Sequence, residues 1–261
     1  MIDIKRDKAV VLFSGGLDSS TTLKIAIDEG LDVIPLTFFY NQRHKIEIEH
    51  AKKIVEFFNI KNHIIINLDF SEIKGSALVD LSIGVPKNRI KNDTAKNKTQ
   101  RNNIAETGET EGAGNARSIK PDDIPITYVP ARNTIFLSYA IAVAEVNMAS
   151  NIFIGANYID YSGYPDCRPD YLRTFEKMAN LATKVSVTGE ISFKINAPLL
   201  KLTKKDIIKR ALEIGVPIEL TYSCYDPIEG LACGVCDSCI IRQKGFSQAG
   251  VIDPTKYYKH G

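Results

Sequence analysis

The chain has 261 residues, 33 Lys and Arg against 31 Asp and Glu, a net charge of +2, and 44% hydrophobic and 25% charged residues. This balance excludes a global basic field for capturing nucleic acid and fits one large α/β domain with a small appendage. No apolar run approaches a membrane span and the N-terminal stretch lacks the apolar core of a signal peptide, so the expected setting is the cytoplasm, where thiols stay reduced.

Strands and helices alternate from the start. Ala9 to Phe13 is a continuous apolar run, as in a buried parallel strand. A turn follows, then a short helix over Ser20 to Glu29 ended by Gly30. Asp32 to Phe39 reads as a second strand, Ile46 to Phe58 as a helix with Ile46, His50, Ile54 and Phe57 near one face, and Ile64 to Leu68 as a third strand. From Lys87 to about Asp123 the sequence is polar and has no aromatic residue, which predicts a mobile insertion, either a lid over a ligand site or a plain disordered loop. Order resumes at Ile124. A long apolar helix is predicted over Arg132 to Ala149, a strand over Ile152 to Gly155, and a turn at Gly163 to Asp166. A helix then runs from Pro169 to about Thr183, and Phe193 to Ala197 is the last sheet candidate. Thr203 with Asp206 reads as a capped start of a helix reaching Ile214. The alternation predicts a doubly wound, Rossmann-like parallel sheet, with residues 1–200 as the main domain and 201–261 as a helical, metal-binding C-terminal segment.

The segment Ser14-Gly15-Gly16-Leu17-Asp18-Ser19 joins the first strand to the first helix. Two glycines allow positive φ and close approach to a ligand. The helix start supplies unpaired N–H groups and a positive dipole end, which together make an anion site. Ser14, Ser19 and Ser20 add hydroxyls, and Asp18 adds a carboxylate able to hold Mg²⁺ against phosphate oxygens. The Walker A ending of Gly-Lys-Ser/Thr is missing. The segment resembles the pyrophosphate loop (PP-loop) of the N-type ATP pyrophosphatases, which keep pyrophosphate and transfer AMP to a substrate oxygen; the alternative is a plain Ser- and Gly-rich turn.

Cys224, Cys233, Cys236 and Cys239 form a cluster in which two-residue gaps let a tight turn, helped by Gly234, aim sulfurs at one metal. Four cysteines suit structural Zn²⁺, with no open position for catalysis. An Fe–S cluster, redox-active Cys-x-x-Cys pairs and ordinary buried cysteines are the other readings. Near the predicted long helix, Arg132 and Asn133 can face a nucleotide. The stretch Asn157 to Pro169 follows a strand end, where open α/β sheets bind ligands. Within it Asp160 and Asp166 are candidate acceptors for the N–H edge of a guanine-like base, and Tyr161 and Tyr164 candidate stacking partners. Cys167 is read as lining a pocket or as structural, with a covalent nucleophile as the alternative.

With these strings assembled, FSGGLDS, TYVPARNTIFLSYAIAVAE, GANYIDYSGYPDCRPDY and the four-cysteine tail resemble the 7-cyano-7-deazaguanine synthase family from Val10 to about Phe246. Two departures are a longer polar insertion around Lys87 to Lys120 and Ser20 where many relatives have Thr. The resemblance implies an adenine nucleotide α-hydrolase-like PP-loop domain with a zinc-bearing tail, assembled as a homodimer. It implies a ligase that turns 7-carboxy-7-deazaguanine, ammonia and ATP into 7-cyano-7-deazaguanine for queuosine or archaeosine synthesis, releasing AMP and pyrophosphate. The family's ATP-binding segment corresponds to Phe13, Ser14, Gly15, Gly16, Leu17, Asp18, Ser19, Ser20, Thr21, Thr22 and Leu23, with Ser14, Asp18 and Ser19 as the catalytic set. Its zinc ligands correspond to Cys224, Cys233, Cys236 and Cys239. The rivals are a PP-loop enzyme that modifies tRNA directly, by thiolation or lysine attachment, and a nucleotide-sensing zinc module without turnover. The near-neutral charge speaks against direct tRNA capture.

Overall fold

The computed structural model describes residues 7–40, 46–89, 124–159 and 164–260. In chain order the elements are β1 (Lys8–Leu12), α1 (Leu17–Asp28), β2 (Asp32–Phe39), α2 (Ile46–Phe57), β3 (Ile64–Asn67), α3 (Arg132–Asn147), β4 (Asn151–Phe153), α4 (Pro169–Ala182), α5 (Lys184–Val187), β5 (Lys194–Asn196), α6 (Lys204–Glu213) and α7 (Asp237–Ala249). The five strands form one sheet in the order β3-β2-β1-β4-β5, parallel throughout. The expected doubly wound α/β architecture is therefore present. No helix among the described residues is long and apolar enough to cross a membrane.

Strand periodicity sorts β1 between two cores. Val10 and Leu12 face one side with Leu36 and Phe38, covered by Leu137, Ala140 and Ala144 of α3 and by Leu172 and Phe175 of α4. Ala9, Val11 and Phe13 face the other side, covered by Leu23 and Ala26 of α1 and by Ala51 and Ile54 of α2. A strand buried on both faces has to be apolar at every position, which explains the unbroken run. The chain builds outward from β1 to β3 and then crosses to β4 on the other side of β1. The switch point therefore lies between the C-terminal ends of β1 and β4, the place where sheets of this kind bind ligands.

The C-terminal part packs on α1. Leu17 shares a third core with Leu199, Ile207, Ile208, Ala211 and Phe246. The predicted cap of α6 is formed. The Thr203 hydroxyl oxygen accepts from the Asp206 N–H and the Asp206 carboxylate accepts from the Thr203 N–H, both at 3.3 Å. Three expectations change. Helix α1 begins at Leu17 rather than Ser20, because Gly16 takes the N-cap position in extended conformation. Of the face expected on α2, Ile54 is buried but Phe57 is exposed, and Ala51 and Val55 are buried with Ile54. Helix α7 was not anticipated, since the cysteines at its start obscure its pattern. The insertion expected from Lys87 to Asp123 lies outside the described residues beyond Arg89.

Candidate functional site

A cavity of about 270 Å³ opens at the switch point. Phe13, Ser14, Gly16, Leu17, Asp18 and Ser19 line it from β1 and α1, Ile154 to Asn157 from the end of β4, and Phe38 and Tyr40 from the end of β2. The early start of α1 puts Asp18 and Ser19 in its first turn, and Gly16 offers no side chain to cap the N–H groups there. The turn is cross-linked from within. Ser19 Oγ lies 3.1 Å from Ser14 Oγ and accepts from the Ser14 N–H at 3.2 Å, while Ser14 Oγ accepts from the Gly16 N–H at 3.4 Å. Gly15 has a φ of 76°, and a Cβ on it would come within 2.6 Å of the Ala51 backbone nitrogen. Its missing side chain is thus required by α2, whereas the sequence reading assigned that freedom to a ligand.

The remaining loop residues separate from the cavity. The hydroxyls of Ser20, Thr21 and Thr22 donate to the carbonyls of Gly16, Leu17 and Asp18, respectively, and Leu23 lies in the second core. None of these four lines the cavity. Asp18 has a partner the sequence did not suggest. The buried Lys204, in the first turn of α6, donates to both of its carboxylate oxygens at 2.7 Å. Each Asp18 oxygen keeps a further acceptor site beside that ammonium. The buried Asn157 amide helps fix the approach of α6 by donating to the carbonyls of Leu199 and Leu202. In sequence, Lys204 was given no role. The capping box at Thr203 was the signal that could have placed it.

The cavity wall on the β2 side is aromatic. Phe38 stacks on Phe136 with ring centroids 4.0 Å apart, and Tyr40 meets the same ring at 5.4 Å. The Tyr164 hydroxyl lies 2.9 Å from that of Thr127. Arg132 and Asn133 both line the cavity, as expected. Burial works against the Arg132 charge. The oxygens of Tyr40, Tyr164, Tyr225 and Asp166 outweigh it and hold the guanidinium above its usual pKa. Asp166 has a different setting from the one anticipated. Its carboxylate accepts from the Asn133 N–H at 3.0 Å, so it anchors the start of α3, where Ala131 has a φ of 53° and provides no cap. Asp166 is buried and does not line the cavity, and burial pushes its carboxyl pKa up. Cys167 lines the cavity and accepts from the Asn133 amide at 3.3 Å; burial pushes its thiol up to about 12, so it is un-ionised at neutral pH. Asp160 and Tyr161 lie outside the described residues.

The four cysteines come together as predicted. Their sulfurs lie within 4.8 Å of one another and all four residues are buried. Backbone N–H groups of Cys233 and Asp226 point at Cys224 Sγ at 3.2 and 3.4 Å, and that of Cys236 points at Cys233 Sγ at 3.3 Å. Cys236 caps α7 and Cys239 sits in its first turn, so the helix dipole favours thiolates there. Four buried sulfurs, two of which receive backbone N–H groups, fit a thiophilic cation such as Zn²⁺ and leave no open coordination position. The cluster also walls the cavity, because Tyr222 to Tyr225, Ser238 and Arg242 line it. Lys87 pairs with Asp226 and Arg89 with Asp237, which ties residues 87–89 to the cysteine loop.

The family model described as queuosine biosynthesis protein QueC matches residues 8–250. The chain is 49% identical over 255 residues to 7-cyano-7-deazaguanine synthase of Desulfatibacillum aliphaticivorans, covering 97% of this chain and 98% of that protein. It is 49% identical over 251 residues to the protein of the same name from Geobacter metallireducens, covering 96% and 93%. Among solved structures, NMN synthetase from Francisella tularensis matches at 17% identity with a TM-score of 0.46, covering 96% of this chain and 80% of that one.

Proposed function

We propose, for a chain that belongs to the family of queuosine biosynthesis protein QueC, that it is an ATP-dependent ligase converting 7-carboxy-7-deazaguanine and ammonia into 7-cyano-7-deazaguanine. The observation that carries the mechanistic reading is the cavity, which gathers the Ser14–Ser19 turn, Lys204, the aromatic wall and Arg132 around one space.

In this reading the substrate carboxylate attacks the α-phosphorus of ATP, an acyl-adenylate forms and pyrophosphate leaves. The first-turn N–H groups of α1, the hydroxyls of Ser14 and Ser19 and the Lys204 ammonium receive the departing charge. Ammonia then attacks the acyl carbon and loses a proton, and AMP leaves with one carboxyl oxygen, giving the amide. The amide oxygen attacks a second ATP and pyrophosphate leaves again. AMP then departs with the second oxygen while the nitrogen gives up its two protons, which leaves the nitrile. All reacting groups belong to substrates, so the chain's part is to position them and stabilise charge, and no protein nucleophile is needed.

Asp18 is the carboxylate that would hold Mg²⁺, and the ion would supply charge neutralisation on the phosphates. The four cysteines would hold Zn²⁺ in a structural role. Tyr164 and the aromatic wall offer apolar surface for the deazaguanine, with Asn133 beside it. A homodimer in the cytoplasm that makes no direct use of nucleic acid completes the proposal. Purified protein supplied with the acid, ammonium and ATP should release AMP, pyrophosphate and the nitrile. Release of ADP, or AMP release that does not depend on the acid, overturns the reading. Asp18→Asn should keep fold and zinc content while abolishing AMP formation.

A further inference from the structure

We infer that Arg132 is the carboxylate receptor of the cavity, and that it makes the site prefer the acid over the amide and the amide over the nitrile. The inference rests on the ligase reading above and adds which group selects the substrate.

Three basic side chains line the cavity among the described residues. Lys204 is held by Asp18. Arg242 is held by Asp253 at 3.1 and 3.2 Å, by Thr221 at 2.8 Å and by the Ile218 carbonyl at 3.3 Å. Arg132 differs. Among the described residues its guanidinium makes one hydrogen bond, a long one of 3.5 Å from Nη1 to the Tyr40 hydroxyl, and no ion pair. The nearby carboxylate of Asp166 is engaged by the Asn133 N–H. Arg132 is partly buried, and its donor atoms are not among those sealed from solvent. A guanidinium has five N–H donors in a planar fork. Most of those donors have no protein partner among the described residues and stay open to an incoming anion in the cavity that Arg132 lines. The fork matches a carboxylate bidentately.

The position also fits the reaction. Arg132 opens α3 beside Tyr40 and Phe136, so an anion bound there belongs to a ligand lying on the aromatic wall. The phosphate-binding turn has its own cation in Lys204. As the acid becomes amide and then nitrile, the partner of Arg132 changes from an anion to a neutral carbonyl and then to a weak nitrogen acceptor. Affinity should fall in that order, which favours entry of the acid and exit of the nitrile.

The test is equilibrium binding of 7-carboxy-7-deazaguanine, its carboxamide and its nitrile to the zinc-loaded protein without ATP, with turnover of the acid measured on the same sample. A charge-assisted hydrogen bond corresponds to about 10- to 100-fold in affinity. The wild type should therefore bind the acid about 10- to 100-fold more tightly than the amide. Arg132→Gln should bind acid and amide alike, with the amide nearly unaffected. Arg132→Lys, which keeps the charge without the fork, should fall between them. An unchanged acid preference in Arg132→Gln, or equal loss for all three ligands in both variants with melting temperatures intact, overturns the inference. Failure of the wild type to make nitrile counts against the ligase reading alone, because the binding preference is measured independently.

Discussion

Gly245 offers a sharp test of how Lys204 is held. Helix α7 crosses α6 so closely that a Cβ on Gly245 would lie 2.5 Å from Lys204 Cγ, 2.8 Å from Ile208 Cδ1 and 3.1 Å from Lys204 Cβ. These distances fall well inside the ~3.5–4.0 Å of ordinary carbon contacts. In Gly245→Ala, overpacking costs about 1–3 kcal/mol, while alanine's better helix propensity returns about 1 kcal/mol. The net loss of about 0–2 kcal/mol should lower Tm by at most ~8 °C, at ~2–4 °C per kcal/mol for chains approaching this size. Ile208 is fully buried in the third core, so the flexible Lys204 is the side chain that yields. Its ammonium then leaves the 2.7 Å contact with Asp18 and its place at the turn. Loss of one preorganised group that stabilises developing charge typically costs about 100-fold in turnover. Scanning calorimetry alongside a pyrophosphate-release assay would compare the two effects. A Tm that falls while kcat/KM stays within about threefold of wild type would refute the role given to Lys204. A Tm that rises would refute the tight helix contact.

Cys236→Ser should release zinc and lower Tm by several degrees, and metal analysis of the purified protein with a melting curve checks both; unchanged metal content and melting would refute the cage. Cys167→Ala should keep turnover within about threefold and cost about 1 kcal/mol, since the un-ionised thiol accepts one bond from Asn133; near-total loss of turnover with folding intact would point to covalent chemistry. His50 Nδ1–H donates to the Leu220 carbonyl at 2.6 Å and the ring stacks on Tyr222, and burial pushes its pKa below 6.5. Its contribution is therefore fully present above 6.5. It is lost as pH falls from there toward the folded-state pKa, because the unfolded chain takes up the proton first. Urea midpoints at neutral and mildly acid pH should show a shallower decline in His50→Gln than in wild type.

The features legible in the sequence were those fixed locally. β1 and β2 announce themselves by apolar runs, the turn after β1 by its glycines, and the metal cage by spacing alone. The features that escaped depend on contacts between distant segments. Lys204 acquires its role by meeting Asp18 across the fold; the capping box at Thr203 places it at a helix start, but the sequence does not show what that start packs against. The aromatic wall joins Phe38 and Tyr40 from β2 to Phe136 from α3, and each alone reads as ordinary core. Asp166 was read as an acceptor for a base because its segment is rich in acceptors. Its actual partner was fixed by a backbone need, the uncapped start of α3. The segment Phe13 to Leu23 was read as one binding unit, but Ser20, Thr21, Thr22 and Leu23 do not line the cavity: three spend their hydroxyls on carbonyls of the preceding turn and Leu23 packs in the second core.

The cavity takes its walls from both halves of the chain, from Leu12 to Ser19 early and from Tyr222 to Arg242 late. A ribosome delivers these parts in that order. The first strand and its turn emerge long before the cysteine loop exists, and the cavity closes only once α7 has been made. A ligand of the finished cavity therefore cannot template the early stages of folding. The nascent sheet has to stand on its own apolar layers until the late segment arrives, and a premature stop before Cys236 would yield a chain that has the Ser14–Ser19 turn but no chamber around it.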